Sequence, residues 1–117
     1  YANFKFDLPS VVADNASSAR YVVGGSARRA QELDLRTLGV VVEKNGEAMA
    51  FGAGAAVLGN PAHSLAMLAN LLAEREEQIP AGTFVMTGGL TEAIGVAAGD
   101  RVTARFQSLG SVAIRFT

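Results

Sequence analysis

The sequence predicts a mixed α/β, β-rich fold, and three observations carry that expectation. Asn45-Gly46 stands between two apolar runs. Residues 101–106 and 111–116 each alternate polar and apolar side chains. One segment, opening at Asn60-Pro61, repeats leucines at helical spacing.

Each element follows from local chemistry. Asn-Gly suits the two positive-φ positions of a tight hairpin turn, so 38–43 and 47–51 pair as neighbouring strands. The second arm runs on as Gly52-Ala53-Gly54-Ala55-Ala56-Val57-Leu58, whose small residues allow close approach of another backbone. Asn60 is a favoured N-cap and Pro61 a favoured first helical residue. Leu65, Leu68, Ala69 and Leu72 then recur at spacings of three and four, which gives one apolar face. Glu74-Arg75-Glu76-Glu77 is the polar end, and Pro80 is the expected stop. Tyr21-Val22-Val23 and Thr83-Phe84-Val85-Met86 read as short strands. The first 19 residues show no clear periodicity, and 26–34 reads as a surface connection. The sum is about six to eight strands around one main helix.

Composition bounds the function. Of 117 residues, 50% are hydrophobic and 18% charged, which excludes a disordered chain. Net charge is −1 with no basic run, which argues against binding nucleic acid through its phosphates. The absence of cysteine excludes a disulfide scaffold, a thiolate zinc site and a cysteine nucleophile. No apolar run approaches the roughly 20 residues of a membrane span. A cytoplasmic location is the expectation. The chain opens Tyr1-Ala2-Asn3-Phe4 without Met, which reads as the C-terminal part of a longer protein, with trimming of a short leader as the alternative.

Two loops are candidate sites. Thr87-Gly88-Gly89-Leu90-Thr91 ends an apolar run with two glycines, so backbone N–H groups can face a carboxylate or phosphate. A tight turn that merely needs glycine explains it equally well. Asp14-Asn15-Ala16-Ser17-Ser18 gathers four polar side chains between apolar flanks and reads as a site lining, or as an ordinary Asx/Ser turn. His63 is the only histidine, in the first helical turn, and is read as a helix-surface residue. No Gly-x-Ser-x-Gly elbow supports a triad built on it. Gly52-Ala53-Gly54 lacks the βαβ context of a dinucleotide site.

The same loops carry a family resemblance. YANFKFDLPSVVADNASSARYVVGG (Tyr1 to Gly25), DLRTLGVVVEKNGE from Asp34, GAGAAVLGNPA from Gly52, LANLLAE from Leu68, IPAGTFVMTGGLTEA from Ile79 and LGSVAIRF from Leu109 follow one another in family order. Together they resemble the 4-oxalocrotonate decarboxylases of the fumarylacetoacetate hydrolase superfamily, which also holds the 2-oxopent-4-enoate hydratases. VVADNASS, DLRTLGVV and MTGGLTEA are the specific part.

The resemblance implies a fumarylacetoacetate-hydrolase-like fold, with residues 1–117 as the C-terminal part of a single catalytic domain. It implies a lyase that removes CO2 from 2-oxohex-3-enedioate to give 2-hydroxypenta-2,4-dienoate, in aromatic meta-cleavage catabolism. Mg2+ or Mn2+ would stabilise the developing oxyanion. The family's metal-holding Glu-x-Glu pair, third Glu and catalytic Lys have no match here. No metal site is transferred to Glu43, Glu47 or Glu92, and the chain alone is expected to be inactive. Asp14 and Asn15 are expected to orient substrate or water, with Asp14 in the catalytic role. Ser17 and Ser18 are expected to bind a carboxylate, and Gly88, Gly89 and Thr91 to cradle the oxo-acid end. A complex with a 2-oxopent-4-enoate hydratase and a homo-oligomer are the implied assemblies. Hydration on the same scaffold and a non-catalytic assembly module are the alternatives.

Overall fold

The computed structural model describes residues 7–117. The architecture is mixed α/β: one four-stranded antiparallel sheet with two α-helices. Strands β1 (Gly39–Lys44), β2 (Glu47–Ala53), β3 (Arg101–Phe106) and β4 (Gly110–Arg115) stand in the order β2-β1-β3-β4. Helix α1 spans Leu8–Ala13 and helix α2 spans Pro61–Ala73.

The hairpin forms where Asn-Gly placed it. Asn45 has φ 54° and Gly46 φ 89°, and Lys44 pairs with Glu47 across the turn. The Asn45 side chain then reaches a third strand. Its Nδ2 donates to Asp100 Oδ1 at 2.7 Å, and its Oδ1 accepts from the Arg101 N–H at 2.8 Å. The turn thereby pins the start of β3 beside β1, 56 residues later in sequence. A second tether, Arg105 Nε to Glu43 Oε1 at 3.0 Å, crosses the same strand pair. That bond holds the Arg105 guanidinium above its ordinary pKa.

Several expectations need correction. Among the described residues four strands form, where six to eight were expected. Tyr21-Val22-Val23 and Thr83–Met86 take no regular structure. Strand propensity expresses itself only beside a partner strand, and these segments find none among the described residues. Helix α1 lies in a stretch that lacked periodicity: Asp7 caps it, accepting from the Ser10 N–H at 2.8 Å, and Pro9 sits in its first turn. Short 3₁₀ turns occupy Asn15–Ser17, Ala30–Glu32 and Gly54–Ala56, the last ending the second hairpin arm early. Helix α2 stops at Ala73, well short of Pro80, and Glu76 then takes φ 58°. The opening residues Tyr1–Phe4 lie outside the described range.

Burial is thin. Leu38, Val40 and Val57 are the buried apolar side chains, and no residue of α2 is buried. Leu65, Leu68 and Leu71 on α2 all remain exposed. A folded monomer of this mass exposes roughly 6,000 Å², whereas this chain exposes 9074 Å². Its radius of gyration is 15.7 Å, against about 13 Å for a compact domain of this length. The sheet is held by its ladders and the tethers at Asn45 and Arg105 more than by a core of its own.

Candidate functional site

The close approach expected from the small residues at the end of the second hairpin arm occurs at two places. A Cβ on Gly52 would run into the carbonyl of Leu90, and one on Gly54 into the carbonyl of Leu35. Leu90 belongs to the Thr87–Thr91 loop. Glycine at 52 is therefore what lets that loop lie against the sheet.

Helix α2 holds the other side of the loop. The Ser64 hydroxyl donates to the Thr87 carbonyl at 2.8 Å, partly buried. Gly88 takes φ 138°, open to glycine alone, and a Cβ there would press on Val57 Cγ1 at 3.2 Å. Gly88 and Gly89 are exposed, and among the described residues their backbone N–H groups make no hydrogen bond. Such N–H groups suit an anion. The Thr91 hydroxyl donates to the Glu92 carbonyl at 3.1 Å, so it offers a ligand only its lone pairs in this arrangement.

The second loop is more tightly wound than its composition suggests. Asn15, Ala16 and Ser17 have φ of 49°, 53° and 59° in succession. Ser17 N–H donates to the Asp14 carbonyl at 2.7 Å, and Ser18 N–H to that of Asn15 at 3.1 Å. The Asn15 amide Nδ2 donates to the Ser18 carbonyl at 3.1 Å, inside the turn. Asp14, Ser17 and Ser18 are exposed.

No hydrogen bond among the described residues joins 14–18 to 87–91. What relates them is a ring contact between their flanks. Tyr21 stacks on Phe84 with centroids 4.9 Å apart and planes 12° from parallel. The first loop ends three residues before Tyr21, and the second begins three residues after Phe84. Val22, Val23 and Phe84 lie over Ala104, Phe106 and Val112 of the sheet and enclose a groove of about 320 Å³. An adjoining groove of about 570 Å³ runs past Tyr21, Val102 and Ile114, with Arg20 and Arg115 at its border.

Sequence reasoning passed over Ser64 and the Tyr21–Phe84 contact. A serine at helical spacing carries no signal for a bond 23 residues away. His63 stays on the helix surface as read, its Nδ1 3.1 Å from the Leu58 carbonyl. Glu43 is occupied by Arg105. Among the described residues no group of three His, Cys, Asp or Glu is placed to hold a metal. No helix among them is long and apolar enough to cross a membrane.

Comparison with known proteins shows which proteins the chain resembles. The chain is 68% identical over 116 residues to a 4-oxalocrotonate decarboxylase of Pseudomonas putida, covering 99% of this chain and 44% of that protein. The chain resembles 4-oxalocrotonate decarboxylase. The solved structure of the 4-oxalocrotonate decarboxylase from Pseudomonas putida G7, complexed with magnesium and adipate, matches all of this chain and 44% of its own with a TM-score of 0.93 at 67% identity. A 2-keto-4-pentenoate hydratase of Paraburkholderia xenovorans is 33% identical over 115 residues, 98% of this chain and 43% of that protein. The chain thus spans under half the length of the decarboxylases and hydratases it matches. No protein-family model matches it.

Proposed function

We propose that this chain is the C-terminal part of a fumarylacetoacetate-hydrolase-like catalytic domain that decarboxylates 2-oxohex-3-enedioate to 2-hydroxypenta-2,4-dienoate. The observation that carries the reading is the 68% identity to a 4-oxalocrotonate decarboxylase over 99% of the chain, about twice its identity to the hydratase. The place of the reaction is aromatic meta-cleavage catabolism in the cytoplasm. A homo-oligomer and a complex with the hydratase of the next step belong to the same reading.

The chemistry is a vinylogous decarboxylation. The bond from C5 to the distal carboxylate breaks and CO2 leaves. The electron pair moves through C4 and C3 to the 2-oxo oxygen, giving a dienolate whose oxygen then takes a proton. The chain's share is recognition and positioning. The N–H groups of Gly88 and Gly89 face the oxo-acid end, where negative charge develops, and stabilise it without reorganising. Ser17 and Ser18 hold a carboxylate, and Asn15 shapes the turn that presents them. Asp14 handles the proton or its water. Magnesium accompanies the matching decarboxylase structure. The described residues of this chain do not form a metal site, so no ligand and no step through the metal is assigned to them.

The test replaces the matching segment of the Pseudomonas putida decarboxylase with this chain and supplies magnesium and 2-oxohex-3-enedioate. The expected result is release of one CO2 per substrate consumed. Water addition to 2-hydroxypenta-2,4-dienoate without CO2 release would replace the reading with a hydratase. Folding with neither reaction would leave an assembly module.

A further inference from the structure

We infer that Ser64 of helix α2 is a positioning residue that aims the Gly88 N–H at the substrate's anionic end. The inference rests on the proposed decarboxylase reading and assigns a role to a residue outside both candidate loops.

The peptide between Thr87 and Gly88 is planar and trans, so its carbonyl and its N–H point in opposite directions. The Ser64 hydroxyl holds that carbonyl toward α2 at 2.8 Å. The Gly88 N–H is thereby turned away from the helix. The far side of the loop is fenced as well: Val57, itself buried, packs where a Gly88 Cβ would sit, and Thr91 and Leu90 lie against Gly52. The Thr87–Gly88 peptide plane needs a fixed reference, because Gly88 on its far side has no Cβ to limit φ. Ser64 supplies that reference from a regular helix whose own start is fixed by Asn60, which accepts the Ala62 N–H at 2.9 Å.

A role in positioning and a role in stability separate cleanly here. Alanine is the better helix former, so Ser64→Ala strengthens α2 as a helix while it removes the hold on Thr87. Ser64→Thr keeps a hydroxyl at the same atom.

The experiment uses the Pseudomonas putida decarboxylase carrying this chain, loaded with magnesium, with adipate as an unreactive dicarboxylate probe. Calorimetry gives the adipate Kd and denaturation gives the stability. The expected result is a loss of adipate affinity of about tenfold in Ser64→Ala, the scale of one hydrogen bond to a charged group. Thermal stability stays equal or rises, and Ser64→Thr recovers most of the affinity. For turnover, kcat for 2-oxohex-3-enedioate falls more than KM rises, because the charge these donors face develops in the transition state. Unchanged adipate affinity in Ser64→Ala overturns the inference and leaves the functional reading intact. Lost affinity that tracks lost stability in both variants also overturns it. No adipate binding and no CO2 release by the unsubstituted protein overturns the functional reading and the inference together.

Discussion

The sheet and the two loops are built on different terms. In the sheet, β1 is flanked by β2 and β3 and every strand is paired. Its turn residues satisfy partners far along the chain, as Asn45 does with Asp100 and Arg101. The loops at 14–18 and 87–91 have no ladder. The first is wound through three successive left-handed residues, and the second hangs between Ser64 and Gly52. The difference fits the proposed reading, in which recognition is kept in the loops. Groups that must face a ligand cannot spend their donors on a neighbouring strand, and a scaffold must hold them instead.

The comparison breaks most visibly at the glycines, in the same Pseudomonas putida graft. Gly54→Ala drives a methyl into the Leu35 carbonyl at a buried position, beside Pro61 Cδ. Overpacking of a confined site costs about 3 kcal/mol, and denaturant titration reads it. Gly52→Ala meets the Leu90 carbonyl, on a loop held by the Ser64 bond and not by a strand ladder. There the stability loss is smaller, about 1 kcal/mol, while adipate affinity falls because the loop moves. Equal stability losses at 52 and 54 would mean that the loop is as rigid as the sheet.

A gentler probe goes the opposite way. Ala16 holds φ 53° and ψ 34°, a conformation that disfavours a side chain. Ala16→Gly is expected to stabilise the protein by about 0.5–1 kcal/mol, read as a shift in denaturation midpoint. If the left-handed turn presents Ser17 and Ser18 to substrate, the same change also lowers KM, since glycine populates that turn more readily than alanine. A gain in stability with KM unchanged would assign the turn to folding alone.

The smallest effect is acidic. Asp34 is held below the usual carboxylate range chiefly by the Thr37 hydroxyl, and Asp100 chiefly by the Asn45 amide. A lowered folded pKa means the unfolded chain binds protons first as pH falls. Their contribution is whole above the ordinary aspartate value near about 4 and is lost as pH drops through the folded values. Asp34 is exposed and Asp100 only half-buried, so the loss is modest. Asp34→Asn is expected to flatten part of the stability profile below about pH 4, measured by denaturation at a series of pH values.

Much was legible from the residues. Asn45-Gly46 fixed a hairpin because few dipeptides tolerate two positive φ values in succession. Asn60-Pro61 fixed the start of α2 because capping is settled within one turn. The alternation in 101–106 and 111–116 placed β3 and β4 within one residue of where they fall. The motifs carried the resemblance that comparison then bore out. All of these are short-range properties, or patterns held whole in the sequence.

Only the tertiary structure decided the rest. Tyr21-Val22-Val23 and Phe84 have strand propensity, yet Tyr21 stacks on Phe84, Val22 and Val23 line a groove, and none joins a ladder among the described residues. Gly52 and Gly54 were read as open to a neighbouring backbone, but which backbone each meets depends on how distant segments return. Ser64 carries no mark in the sequence of its bond to Thr87. Turn and capping preferences act over two to four residues, and the chain states them itself. A contact between residues far apart depends on the summed packing of everything between them, and no local residue choice encodes that sum.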